Sequence, residues 1–216
     1  PINNIKRAID DFIRFGEVKY GWLGVSIADV QPSIESQMKL DNETGAFVFH
    51  VFLGSPAEKA GLLPGDFVTS INNIKINDAD ALVRVVGDLP AGRIAHLDVV
   101  RFGKRIKLDV EIGLRQKTEI INSKNKDLWP GLSVIPITDD VIRHMEISKN
   151  TGGVMIQTVE HETKLDIAGI KTGDIIKKIN DTPIYTVADF YRQINEKGSN
   201  EFTFYFHREG HEYSIT

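Results

Sequence analysis

The sequence predicts a mostly β protein with short helices, built from two copies of one small domain. Three observations carry this. The first is an internal repeat. Gly45-Ala-Phe-Val-Phe-His-Val51, Ala60-Gly61-Leu62, Gly65-Asp66, Ile71-Asn72 and Ile76 recur as Gly153-Val-Met-Ile-Gln-Thr-Val159, Ala168-Gly169-Ile170, Gly173-Asp174, Ile179-Asn180 and Ile184, always 108 positions later. Trp22-Leu23-Gly24-Val25, Met38 and Gly103 recur 107 positions later, as Trp129-Pro130-Gly131-Leu132, Met145 and Gly210. A fixed offset over this many positions is the signature of a duplicated unit. The second is period-two alternation of apolar side chains, as at Ile106, Leu108, Val110 and Ile112, and at Phe202, Phe204 and Phe206. The third is punctuation: short helices open on Ser, Thr or Asp, and turns fall on Asn and Gly.

Within the first copy, residues 24–30 read as a strand, 33–40 as a short helix or turn, and 47–52 as a second strand. Ser55-Pro56-Ala57-Glu58 reads as a helix start, with Ser at the N-cap, Pro at N1 and Glu at N3, the pattern of a capping box. Thr163 and Asp166 keep that chemistry in the second copy, and Gly61 is the expected C′ stop. Residues 67–71 and 74–76 read as strands around an Asn72-Asn73 turn, since Asn tolerates positive φ. Asp78 caps a helix expected to run to about Val86, and residues 97–101 and 105–112 form a hairpin. Each copy is thus expected to be mainly strand with two helices. Outside the repeat, residues 2–15 read as an amphipathic helix with Ile5, Ile9, Phe12 and Ile13 on one face and Gly16 as its stop. Residues 113–127 are polar and Lys-rich, the composition of a linker that lets the two units shift.

Composition removes several function classes. With 41% hydrophobic and 26% charged residues over 216 positions, the chain can bury a core, and at roughly 150 residues per domain it suits one large or two small domains. A net charge of −4 argues against sequence-independent nucleic-acid binding. No cysteine is present, which excludes disulfides, thiolate catalysis and Cys-ligated zinc. No apolar run is long enough to span a membrane. His207 and His211 stand four apart, but Gly210 between them points to a turn, where the helical ligand spacing does not arise. Asp78, Asp80, Asp139 and Asp140 are explained by helix N-termini, and Glu58 and Asp166 by capping, so no metal or cofactor is expected. Ser55 lies in Leu-Gly-Ser-Pro, not in a nucleophile elbow, and no catalytic residues are assigned.

The stretch Gly54-Ser-Pro-Ala-Glu-Lys-Ala-Gly-Leu-Leu-Pro-Gly-Asp66 resembles a PDZ domain of the circularly permuted bacterial type. Residues 1–6 and 16–25 resemble the junction between protease and first PDZ domain in the HtrA/Deg family of serine proteases. The resemblance implies two small, partly open β-barrels. It divides the chain into the last protease helix (1–18), PDZ1 (19–113), a linker (114–127) and PDZ2 (128–216). It also implies a periplasmic setting, protein quality control with chaperone and stress-response character, a parent serine endopeptidase that forms homo-oligomers, and unfolded polypeptides or hydrophobic C-termini as partners. Two rivals stand beside it: a non-enzymatic PDZ scaffold, and the PDZ pair of an intramembrane metalloprotease.

PDZ grooves take a chain end as an added strand beside a sheet edge. The resemblance puts the carboxylate loop at Trp22, Leu23, Gly24 and Val25, the accepting strand at Val25, Ser26 and Ile27, and the facing helix residues at Leu82 and Val86. Spacing alone would equally make Leu82 and Val86 core residues. Trp22 and Trp129 are either groove-rim anchors or packed aromatics. The second groove would use Gly131, Leu132, Phe190 and Ile194, but Pro130 stands where Leu23 stands and has no N–H to give a carboxylate. Weaker binding, an internal segment or another subunit is expected there.

Overall fold

The computed structural model describes residues 9, 12, 13, 16–40, 42–116, 125–144, 151–196 and 201–216. The first unit runs β1 (Gly21–Trp22), β2 (Val25–Ala28), α1 (Pro32–Met38), β3 (Ala46–Phe52), α2 (Pro56–Lys59), β4 (Phe67–Ile71), β5 (Ile74–Lys75), α3 (Ala79–Gly87), β6 (Ile94–Arg101), β7 (Lys104–Glu111) and β8 (Gly113–Leu114). Its sheet has the order β2-β3-β4-β6-β7, with β5 added on β4, while β1 and β8 pair separately. β2 is therefore an edge strand. Asn72 and Asn73 take φ of 51° and 62°, the left-handed pair that turns the β4–β5 hairpin. Asp78 caps α3 by accepting from the Ala81 N–H at 2.6 Å.

The second unit repeats this order. It runs β9 (Leu128–Trp129), β10 (Leu132–Pro136), α4 (Asp139–His144), β11 (Val154–Val159), α5 (Lys164–Ile167), β12 (Ile175–Ile179), β13 (Thr182–Pro183), α6 (Val187–Ile194), β14 (Phe204–Arg208) and β15 (His211–Ile215). Its sheet order is β10-β11-β12-β14-β15, with β13 on β12. The irregularities repeat too. β2 slips register between Ser26 and Ile27, and β10 between Ser133 and Val134. A buried ion pair repeats as well. Asp66 accepts from Arg101 Nε at 2.6 Å and Asp174 from Arg208 Nε at 2.6 Å, and each guanidinium also reaches the carbonyl of Gly61 or Gly169. Paired this way, a fully buried carboxylate is compensated and ties the α2 or α5 end to the hairpin.

Several expectations need correction. Each unit carries three helices among the described residues, because residues 32–38 complete a helix with Pro32 at its start. The capping boxes at α2 and α5 are modified. Ser55 Oγ accepts from the Glu58 N–H, but the Glu58 carboxylate reaches the Gly54 N–H, one residue before the cap, and Asp166 reaches the Glu162 N–H likewise. The strict box forms at α6 instead, between Thr186 and Asp189. Phe202 lies before β14, packed on Trp129 at 5.2 Å between ring centroids. The expected helix over residues 2–15 lies mostly outside the described residues; Ile9, Phe12 and Ile13 are exposed. Of the expected linker, 117–124 lie outside them too, while Gly113–Leu114 are the strand that pairs with β1.

The two units pack against each other. β9 of the second unit pairs with β3 of the first, Val51 opposite Trp129 and Phe52 opposite Leu128. Ile34, Met38, Leu40 and Phe47 of the first unit share one buried cluster with Leu132, Val134, Phe190, Tyr191 and Ile194 of the second. The rest of the first unit has its own core, around Leu23, Val48, Val68, Ile71 and Leu82.

Candidate functional site

Between β2 and α3 the first unit has an open cavity of about 530 Å³. Trp22, Leu23, Gly24, Val25, Ile27, Leu82 and Val86 all line it; Ser26, on the other pleat of β2, does not. The loop joining β1 to β2 lines the cavity with Leu23 and Gly24. There the Leu23 carbonyl accepts from the Ala57 N–H at 2.9 Å and the Gly24 carbonyl from the Phe52 N–H at 2.9 Å. The N–H groups of Leu23 and Gly24 have no partner among the described residues. The loop thus turns its acceptors into the protein and leaves adjacent donors over, the arrangement that holds an anion.

Gly24 is required by two features. Its φ is +84°, and a Cβ there would come within 2.3 Å of the Ser55 Cβ. The cap of α2 therefore packs directly beneath the loop. Gly131 repeats this over Thr163, with φ +78°.

Several lining residues carry no local sequence signal: Tyr20, Phe52, Val83, Arg84, Gly87, Asp88 and Arg115. Arg115 arrives because β8 pairs with β1 and its N–H bonds the Tyr20 carbonyl at 2.9 Å. Arg84 lies near Asp78 at 3.8 Å and is two-thirds exposed. The floor is apolar and two guanidinium groups stand at the rim. Trp22 lies in the wall with its ring 5.9 Å from that of Phe52, so it is both a lining and a packed residue. Leu82 is 1% exposed and likewise serves core and wall.

The second groove is different: a cavity of about 690 Å³ is lined by Trp129, Ile194 and Phe202 together with Val51, Leu62 and Pro64 of the first unit, and Gly131, Leu132 and Phe190 do not line it. Leu132, Phe190 and Ile194 are buried, 0%, 0% and 3% exposed, under the first unit. Trp129 packs on Phe202 and pairs with β3. Nearby, His50 on β3 is buried with no partner meeting hydrogen-bond geometry at either ring nitrogen, and burial lowers its pKa to about 4. The Tyr191 hydroxyl is also buried without a partner among the described residues, and burial pushes its pKa up. Among the described residues no group of acids and histidines is placed to hold a metal.

An edge strand, a facing helix and a donor loop define a class of recognition domain. Residues 21–112 match the PDZ domain family. Relatives extend the match across most of the chain. It is 35% identical over 188 residues to a probable periplasmic serine endoprotease DegP-like of Hahella chejuensis, covering 84% of this chain and 39% of that protein. It is 28% identical over 199 residues to periplasmic serine endoprotease DegP of Salmonella typhimurium, covering 92% and 40%. Among solved structures, an HtrA-type protease AlgW with decapeptide aligns at 29% identity and TM-score 0.47, over 54% of this chain and 36% of that one. The chain is a PDZ-containing homologue of the DegP/HtrA-type serine endoproteases, and it spans about two fifths of the length of the curated relatives it matches.

Proposed function

We propose that this chain is the polypeptide-recognition part of an HtrA-type periplasmic serine endopeptidase that works in protein quality control. In this reading residues 1–18 end the protease domain, 19–113 and 128–216 are two PDZ domains, and 114–127 link them. The first groove takes the C-terminal or extended segment of an unfolded polypeptide as a strand beside β2. The terminal carboxylate sits on the Leu23 and Gly24 amides, and an apolar last side chain enters the space between Ile27, Leu82 and Val86. The observation that carries the reading is the pair of amides, unpartnered among the described residues, in the loop lining an apolar groove beside the edge strand β2. Each hydrogen bond to a carboxylate contributes about 1.5–3 kcal/mol, so two bonds suffice to make the chain end, and not only its sequence, a recognition element.

The test is a fluorescence titration with a peptide ending in an apolar residue, as the free acid and as the C-terminal amide. Trp22 reports, because it lines the groove. The acid is expected to bind roughly 10- to 100-fold more tightly, the effect of about one to two charge-assisted hydrogen bonds. Trp22→Phe removes the signal. Equal affinity of acid and amide would overturn carboxylate capture and leave strand addition alone.

A further inference from the structure

The two grooves occupy equivalent places, and equivalent positions within them have opposite fates. Val83 on α3 is 51% exposed; its counterpart on α6, Tyr191, is fully buried. Val25, Ser26 and Ile27 are partly exposed; Leu132, Ser133 and Val134 are buried. The cover is α1 of the first unit, which packs against both walls of the second groove, β10 and α6. Its apolar face, Ile34 and Met38, lies in the cluster that joins Phe47, Phe67 and Val100 of the first unit to the second unit's core, and not in the first unit's separate core.

The polar contacts agree. At the start of α3 the Ala79 N–H is bonded within its own unit, by Asp29 at 2.9 Å. The residue at the place of Asp29 in the second unit is Pro136, which has no side-chain acceptor. There the matching Val187 N–H is bonded across the interface, by Gln37 of α1 at 2.8 Å. Asn195, just past α6, donates to the Pro64 carbonyl of the first unit at 2.7 Å. A docked helix brings no terminal carboxylate, so the amide that Pro130 lacks is not missed.

We propose that the second groove is a receptor for α1 of its own chain, and that a peptide can enter it only after the two units part. One chain therefore presents one open groove. This rests on the fold of the second unit and not on what the first groove binds.

The test is hydrogen exchange on the whole chain, comparing the natural sequence with Gln37→Ala and with the double variant Ile34→Asp/Met38→Asp. Docking predicts that amide exchange in 132–135 and 187–194 rises about three- to tenfold in Gln37→Ala, the effect of one hydrogen bond, and further in the double variant. Exchange in 95–99, whose Ala95, Leu97 and Val99 lie within the separate first core, stays unchanged. Unchanged exchange in 187–194 in both variants overturns the proposal. If the double variant unfolds, shown by fast exchange in 95–99 as well, Gln37→Ala decides alone: a rise confined to the second groove supports docking, and no rise overturns it. Calorimetry of the natural chain with the apolar-ended peptide gives a separate check, since two equivalents bound per chain would also overturn it.

Discussion

Helices α3 and α6 start on side-chain caps, lie against edge strands of the same topology and carry Leu82 and Phe190 at the same step. One faces an open cavity and the other the neighbouring unit. The difference lies in a few positions. Where the first unit has Val83, Asp29 and Leu23, the second has Tyr191, Pro136 and Pro130. A large aromatic replaces a small exposed side chain, an acceptor is removed from the helix start, and a donor is removed from the loop. Duplication preserved the scaffold, while these side chains changed which surface the scaffold must cover.

The comparison breaks most sharply at the facing helix positions. Tyr191→Ala, by leaving a cavity where both units meet, is expected to lower unfolding stability by about 3–5 kcal/mol. Val83→Ala, on the open groove, is expected to change it by less than about 0.5 kcal/mol. Denaturant titration measures both, and similar losses would mean that the two grooves are equally open.

The next effect is set by pH. His50 is neutral when buried, with its pKa lowered from 6.5 to about 4. Above pH 6.5 it is neutral in both folded and unfolded chains and has no influence. As pH falls from 6.5 towards 4, the unfolded chain takes a proton that the folded one refuses. Stability therefore drops by roughly 1.4 kcal/mol per pH unit, about 3 kcal/mol in all. His50→Leu should flatten this part of the stability profile. An unchanged acid slope in that variant would place the titrating group elsewhere.

The smallest effect separates the two caps. Ser55→Ala and Thr163→Ala should each cost about 1 kcal/mol of stability. Only Ser55→Ala should also weaken peptide binding, because Ser55 supports the open loop through Gly24 while Thr163 supports the covered one. Equal binding losses in a peptide titration would contradict a closed second groove.

Much of the fold was legible because its signals are local. The Asn72-Asn73 turn, the Asp78 cap, the stop at Gly61 and the alternation of β7 each depend on a few neighbouring residues. Of the candidate groove residues, Trp22 to Val25, Ile27, Leu82 and Val86 line one cavity, and Ser26 does not. Arg115 was not legible, since only the pairing of β8 with β1 brings it there. Nor was the modified capping at Ser55, where the direction of one carboxylate decides which amide it meets.

The amino-acid pattern by itself determined that there are two β-rich units, where their turns and caps fall, and that the second loop lacks an amide. Only the tertiary structure decided that the units dock, that α1 fills the second groove and that His50 is buried beside it. The physical reason is range. Caps, turns and alternation are settled by interactions a few residues apart. The burial of Ile34, Met38 and Tyr191 depends on surfaces more than a hundred positions apart in the chain, and an apolar side chain reads the same whether its own unit or its neighbour covers it.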